Sequence, residues 1–223
     1  MSKKFWFFYV TYIALVVTAV MMAISLHKQK VIKASSPVKL SSIIRLVDPD
    51  SGRTFCSGTV ISDNIIVTAG HCVIKETPFG GTLRADPIDI RTDENYDLNV
   101  KARAVWATPQ LDQGLLKGNF TRFEHRQFIT DVHGILDTRN RDLPYTTCGY
   151  PMGGHLVCTY FRYKTLDGFA YRGDGVLIPG MSGGPAMTKD GTVIGVNVAV
   201  EGPDAIISPI YNLDEEFNEG EGK

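Results

Sequence analysis

Apolar positions along the chain follow two different patterns. Phe5 to Leu26 is a run of 22 residues without Asp, Glu, Lys or Arg. At the rise of an α-helix such a run spans about 30 Å, the hydrocarbon thickness of a bilayer. Phe5, Trp6, Phe7, Phe8, Tyr9 and Tyr12 crowd one end, as an interfacial aromatic belt does. The pattern predicts an N-terminal transmembrane helix. A removed signal peptide is the alternative, with Ala23-Ile24-Ser25 as small residues for cleavage, but the apolar run is longer than such peptides use. Gln29 to Ser36 is polar and small and reads as a tether.

From Ser41 onward the apolar runs become short and are punctuated by turn residues, the pattern of strands. Strands are predicted over 42–47, 54–62 and 65–68, separated by Asp48-Pro49-Asp50-Ser51-Gly52 and Asp63-Asn64. A second group is predicted over 145–150, 156–163, 169–171 and 192–200, with turns at Pro151-Met152-Gly153-Gly154 and Asp190-Gly191. Between the groups, Gly118 to Asp142 is polar and reads as a linker with a helical turn. This gives a membrane anchor or signal with its tether over 1–34 and a first β module over 35–118. A crossover follows over 119–142, a second β module over 143–212, and an acidic tail, expected to be disordered, over 213–223.

Composition adds limits. The 22 glycines and 11 prolines suit an all-β chain of short strands. Net charge is −1, from 23 basic and 24 acidic residues, which offers no electrostatic case for nucleic acid. Four cysteines fall into two local pairs, Cys56 with Cys72 and Cys148 with Cys158, each plausible as a disulfide staple. Bridges would place the β modules in an oxidising, extracytoplasmic compartment; four free thiols would point to the cytosol. Cys148, His155 and Cys158 make only a three-ligand set at an unfamiliar spacing, so no metal site is expected. His125 and His133 read as surface residues.

Candidate chemistry centres on Gly180-Met181-Ser182-Gly183-Gly184-Pro185. Glycines permit φ > 0 and close backbone approach, which suits a tight turn that exposes a hydroxyl. Such a hydroxyl needs a base, and the oxyanion it creates needs donors already in place. The N–H groups of Gly180 and Ser182 are the natural donors. Far upstream, Thr68-Ala69-Gly70-His71-Cys72 ends an apolar run. Together the two segments resemble the trypsin-like serine peptidases, over about residues 40–212. In that family an Ala-Gly-His-Cys segment carries the base and Gly-x-Ser-Gly-Gly-Pro the nucleophile.

The resemblance implies two six-stranded antiparallel Greek-key barrels with the site between them. It implies His71 as general base, Ser182 as nucleophile and an Asp behind His71, with no cofactor and a polypeptide substrate. Asp112, opening Asp112-Gln113-Gly114-Leu115-Leu116-Lys117, is similar to the family's Asp-hydrophobic-Ala-Leu-Leu-Lys strand, although Gln113 departs from it. Asp131 is the alternative; it leaves only 16 residues before Cys148, against 35 for Asp112. The segment Val193 to Ala199 resembles the strand of bacterial high-temperature-requirement proteases to which peptides add, implicating Val198 and Ala199 in substrate binding.

Two departures from trypsin itself bear on specificity and control. Met181 stands where trypsin has the Asp that receives a freed N-terminus, so activation by N-terminal insertion is not expected. Val176 stands where trypsin has its pocket Asp, so small or medium apolar side chains are expected substrates. The reading is a single-pass membrane-anchored endopeptidase with an extracytoplasmic catalytic domain, or a secreted one after signal cleavage. Its rivals are a non-catalytic peptide-binding protein on the same fold and an esterase with the same triad.

Overall fold

The computed structural model describes residues 41–77, 80–93, 95–129 and 144–210. The predicted membrane helix, Asp131, His133 and the acidic tail lie outside these residues. Among the described residues no helix is long and apolar enough to cross a membrane.

The first module contains β1 (Ile43–Val47), β2 (Thr54–Val60), β3 (Ile65–Ala69), a one-turn helix α1 (Gly70–Val73), β4 (Ile74–Thr77), β5 (Gly80–Leu83), β6 (Ile88–Thr92), β7 (Asn95–Thr108) and β8 (Gln113–Gly118). The second contains β9 (Tyr145–Gly149), β10 (Val157–Asp167), β11 (Ala170–Gly175), β12 (Pro185–Met187), β13 (Val193–Glu201) and β14 (Asp204–Pro209). Six strands close each barrel, in the orders β1-β2-β3-β8-β7-β6 and β10-β11-β14-β13-β12-β9, while β4 and β5 form a separate hairpin. All strand pairs within the barrels are antiparallel.

Why these segments read as continuous apolar runs follows from the two-residue period of a strand. Ile44, Ile66 and Leu116 point into the first barrel, with Leu46, Ile88 and Ile90. Their neighbours Ile43, Val67 and Leu115 point the other way, onto Tyr150, Val193, Val196 and Ile210 of the second barrel. Both faces of β1, β3 and β8 are therefore buried, and alternation disappears from the sequence. Each such side chain contributes roughly 1.5–3 kcal/mol on burial, so this shared layer fixes one barrel against the other. The second barrel has its own filling of Tyr145, Phe161, Tyr171, Ile194 and Ile207.

The segment after β8 is more than a polar linker. Phe120 and Phe123 are fully buried in the first barrel's core and meet edge to face at 6.1 Å. Farther along, Phe128 bridges to Val193 in the second barrel. Strands β4 to β7, β12 and β14 escaped the sequence pattern. β12 has only three residues, and β6 and β7 carry charged residues at regular intervals.

Both cysteine pairs are disulfide-bonded. Cys56–Cys72 ties β2 to α1, and Cys148–Cys158 ties directly opposed residues of β9 and β10.

Candidate active site

His71 is delivered by the fully buried strand β3, which ends in α1. Its backbone N–H donates to Asp112 Oδ1 at 2.7 Å, and its ring Nδ1 lies 2.7 Å from Asp112 Oδ2. A carboxylate only accepts, so Nδ1 carries the proton and Nε2 is left as the basic nitrogen. One carboxylate thus fixes both the position and the tautomer of the imidazole. The contact needs Gly70. A Cβ there would lie 3.0 Å from Asp112 Oδ1 and 3.0 Å from the Gln113 carbonyl. Asp112 itself sits at φ +48°, a left-handed conformation that Asp tolerates better than most residues, in the turn before β8.

Gln113 is the residue whose polarity departs from the family pattern, and its surroundings explain that polarity. It is completely buried, and its amide donates to Ser208 Oγ at 3.0 Å and to the Pro209 carbonyl. A hydrogen bond thus links the strand beginning after Asp112 to β14 of the other barrel.

The turn bearing Ser182 is clamped from the first barrel by Ser57, next to Cys56 on β2. Ser57 N–H donates to the Ser182 carbonyl at 2.8 Å, and Ser57 Oγ donates to the Gly180 carbonyl at 2.7 Å. The same Oγ accepts from Tyr150 N–H at 2.9 Å. Gly180 and Gly183 have φ of +97° and +80°. A Cβ on Gly183 would meet Thr68 Oγ1 at 2.0 Å and the Ser57 carbonyl at 2.4 Å. Gly183 is where the two barrels' backbones touch, whereas a Cβ on Gly180 would meet the Tyr150 carbonyl at 2.6 Å within the second barrel.

Along this turn the amides divide into two sets. Met181 N–H donates to the Ile178 carbonyl, Gly183 N–H to Asn197 and Gly184 N–H to Met181. Among the described residues no protein acceptor takes the N–H of Gly180 or Ser182. These are the amides of Ser182 itself and of the residue two before it. Met181 is fully buried, and Asn197 Nδ2 donates to its carbonyl and to that of Cys148. The apolar Met181 side chain is thus packed into the core.

The two halves meet closely. The Ser182 carbonyl lies 3.8 Å from Cys72 Sγ, and Cys72 directly follows His71. Ser182 Oγ donates to the Val198 carbonyl at 3.3 Å rather than to His71. The sulfurs of Cys56 and Cys72 lie within 4.8 Å of the His71 ring, but the disulfide commits them and leaves no thiolate for a metal.

A cavity of about 320 Å³ opens beside Ser182. Its walls are Leu177, Ile178 and Pro179 on one side and Val198, Ala199 and Val200 of β13 on the other. Val198 and Ala199, expected from the sequence to border substrate, line this cavity. Val176 does not line this cavity; it is exposed and lines a neighbouring one with Tyr160, Arg162 and Asp174. Leu177, one residue on, lines it instead, a shift that counting back from Ser182 could not detect. Ser57 and Gly70 were missed as site residues because each acts by packing or by backbone contact across the fold.

Residues 56–196 match the model of the trypsin-like peptidase domain, more than half of the chain. Among solved structures, the chain is similar to the inactive form of the Rv3671c protease, a protein of M. tuberculosis, with a TM-score of 0.58 at 18% identity, covering 80% of this chain and 88% of that one. It is similar to a serine endoprotease from Yersinia pestis, with a TM-score of 0.58 at 16% identity, covering 77% of this chain and 59% of that one. The HtrA-type protease AlgW with a decapeptide gives a TM-score of 0.55 at 19% identity, covering 70% and 48%. The chain spans only part of these last two proteins. From the match over its central 56–196 segment, the chain belongs to the trypsin-like peptidase domain family and is a trypsin-like serine protease.

Proposed function

We infer that the chain hydrolyses peptide bonds through Ser182, His71 and Asp112. The observation that carries this reading is the grip of Asp112 on both N–H groups of His71, at 2.7 Å each. It leaves Nε2 basic and aimed away from the acid. Ser182 Oγ turns from Val198 to His71, gives up its proton to Nε2 and attacks the carbonyl carbon. A substrate N–H that takes the Val198 carbonyl would favour that turn. The N–H groups of Gly180 and Ser182 hold the oxyanion, preorganised because nothing else in the turn uses them. His71 then protonates the leaving amine, and water, deprotonated by His71, releases the acyl group.

The carbon-lined cavity beside Ser182 supports a preference for small or medium apolar side chains before the scissile bond. Substrate lies along β13 as an added strand, and Val198 and Ala199 border its path. The apolar run at Phe5 to Leu26 supports a single-pass anchor, and the two disulfides support an extracytoplasmic catalytic domain.

A fluorophosphonate probe tests the nucleophile. Wild type is expected to label and Ser182→Ala to remain unlabelled. Labelling that persists in Ser182→Ala sinks the assignment. The hydrogen bond from Ser182 to Val198 favours one second reading, a peptide-binding protein without turnover. An unlabelled but folded wild type would select it. Deleting Met1 to Lys30 is expected to give a soluble domain that still cleaves; sedimentation with membranes after the deletion would reveal a second attachment.

A further inference from the structure

Beyond the apolar cavity, a second concavity is bordered by Pro179 and Gly180. It measures about 570 Å³ and is walled by Arg45, Arg53, Arg91, Phe55, Met152 and the Gly180 backbone. Three arginines and no carboxylate line it. Their partners decide what it can bind. Arg45 is 2% exposed, bonds Asp93, donates to the Gly153 carbonyl at 3.1 Å and lies 4.6 Å over the Tyr150 ring. Arg91 lies 3.4 Å from Asp89, which is also 3.8 Å from Lys101. Asp93 further faces His155 at 3.6 Å. Arg53 is exposed, and no carboxylate pairs with it among the described residues. Two arginines are thus structural, and Arg53 is left at the rim without a carboxylate partner among the described residues.

We propose that this cavity receives the part of the substrate after the scissile bond and selects a carboxylate there, with Arg53 as its principal contact. The inference rests on the peptidase reading above. Substrate preceding the bond lies along β13 and in the apolar cavity, and the scissile carbonyl sits on Gly180 and Ser182. The chain leaving that point past Gly180 runs over Phe55 and Met152 toward Arg53. These two apolar side chains suit the methylenes of a Glu side chain, and a guanidinium fork suits its carboxylate. The carboxylate comes either from an acidic side chain within the first three positions after the bond or from the C-terminus of a short product segment.

Binding to Ser182→Ala tests this without turnover. Amidated fluorescent peptides carry Glu, Gln or Lys at each of the first three positions after the intended bond. A further Gln peptide ends there in a free carboxylate. Glu at one position is expected to bind about fivefold to tenfold more tightly than Gln, the range of a partly exposed charge-assisted contact, and Lys more weakly than Gln. High salt should compress the gap, and Arg53→Gln should remove it. A gain confined to the free carboxylate assigns the site to chain termini. Equal affinity of all peptides, absence of binding, or a Glu gap that survives Arg53→Gln overturns the proposal. If peptides discriminate but wild type cleaves none, this site stands and the peptidase reading falls. Cleavage by wild type without charge discrimination has the reverse meaning.

Discussion

Asp112→Asn is expected to lower kcat for a peptide substrate about ten-thousandfold while leaving the fold intact, the scale of loss seen when the orienting carboxylate is replaced in the chymotrypsin template. The reason lies in the two-point contact with His71. The substituted side chain keeps its volume and tolerates the left-handed backbone at this position. Its single oxygen still accepts from the His71 backbone N–H. Its NH₂ group then faces Nδ1 and can only donate, which makes Nδ1 the acceptor and moves the ring proton to Nε2. A protonated, neutral Nε2 has no lone pair for the Ser182 proton. Steady-state kinetics on peptide substrates, with thermal unfolding as the folding control, measures this. Asp131→Asn is expected to stay close to wild type. A collapse of activity in Asp131→Asn with near-normal Asp112→Asn would make Asp131 the acid.

Gly183→Ala is expected to destabilise the protein by at least about 4 kcal/mol, near the top of what single substitutions cause and a large share of a typical 5–15 kcal/mol total. Two costs coincide there. The backbone is at φ +80°, and the added methyl would sit 2.0 Å from Thr68 Oγ1 and 2.4 Å from the Ser57 carbonyl. The second neighbour is backbone, held by the donor bond from Thr68 Oγ1 at 2.7 Å, so it cannot step aside without parting the barrels. Gly202 separates the two costs. It has φ +61° in the β13–β14 hairpin, with nothing within 4 Å of an added Cβ. Gly202→Ala should therefore cost only the backbone term, about 1 kcal/mol. Urea midpoints of the two variants decide the matter. Similar midpoints would mean that the turn relaxes and that the barrel contact is looser than its geometry.

How much of this was legible beforehand depends on the length scale of each feature. The strands around His71 were readable because β1, β2 and β3 are short apolar runs bounded by turn residues. The strands β4 to β7 were not, because their stretch alternates with charge and no local signal separates a barrel edge from a loop. The segment after β8 looked like a linker because polar residues outnumber its apolar ones. Only the fold shows that Phe120 and Phe123 enter the first barrel's core. Gln113 looked like a flaw in a motif, and its partners, Ser208 and Pro209, lie 95 and 96 residues away.

Local sequence was enough to mark the cysteine pairs as neighbours, the glycine turn with its serine, and the histidine at a strand's end, because each is written within a short stretch of chain. The folded chain was needed to show that Asp112 meets His71, that Ser57 pins the turn bearing Ser182, and that Leu177 rather than Val176 lines the cavity beside it. Those relations join residues whose separation along the chain carries no information about distance. They exist only once the apolar faces of two barrels have been pressed together and the backbones between them brought into contact.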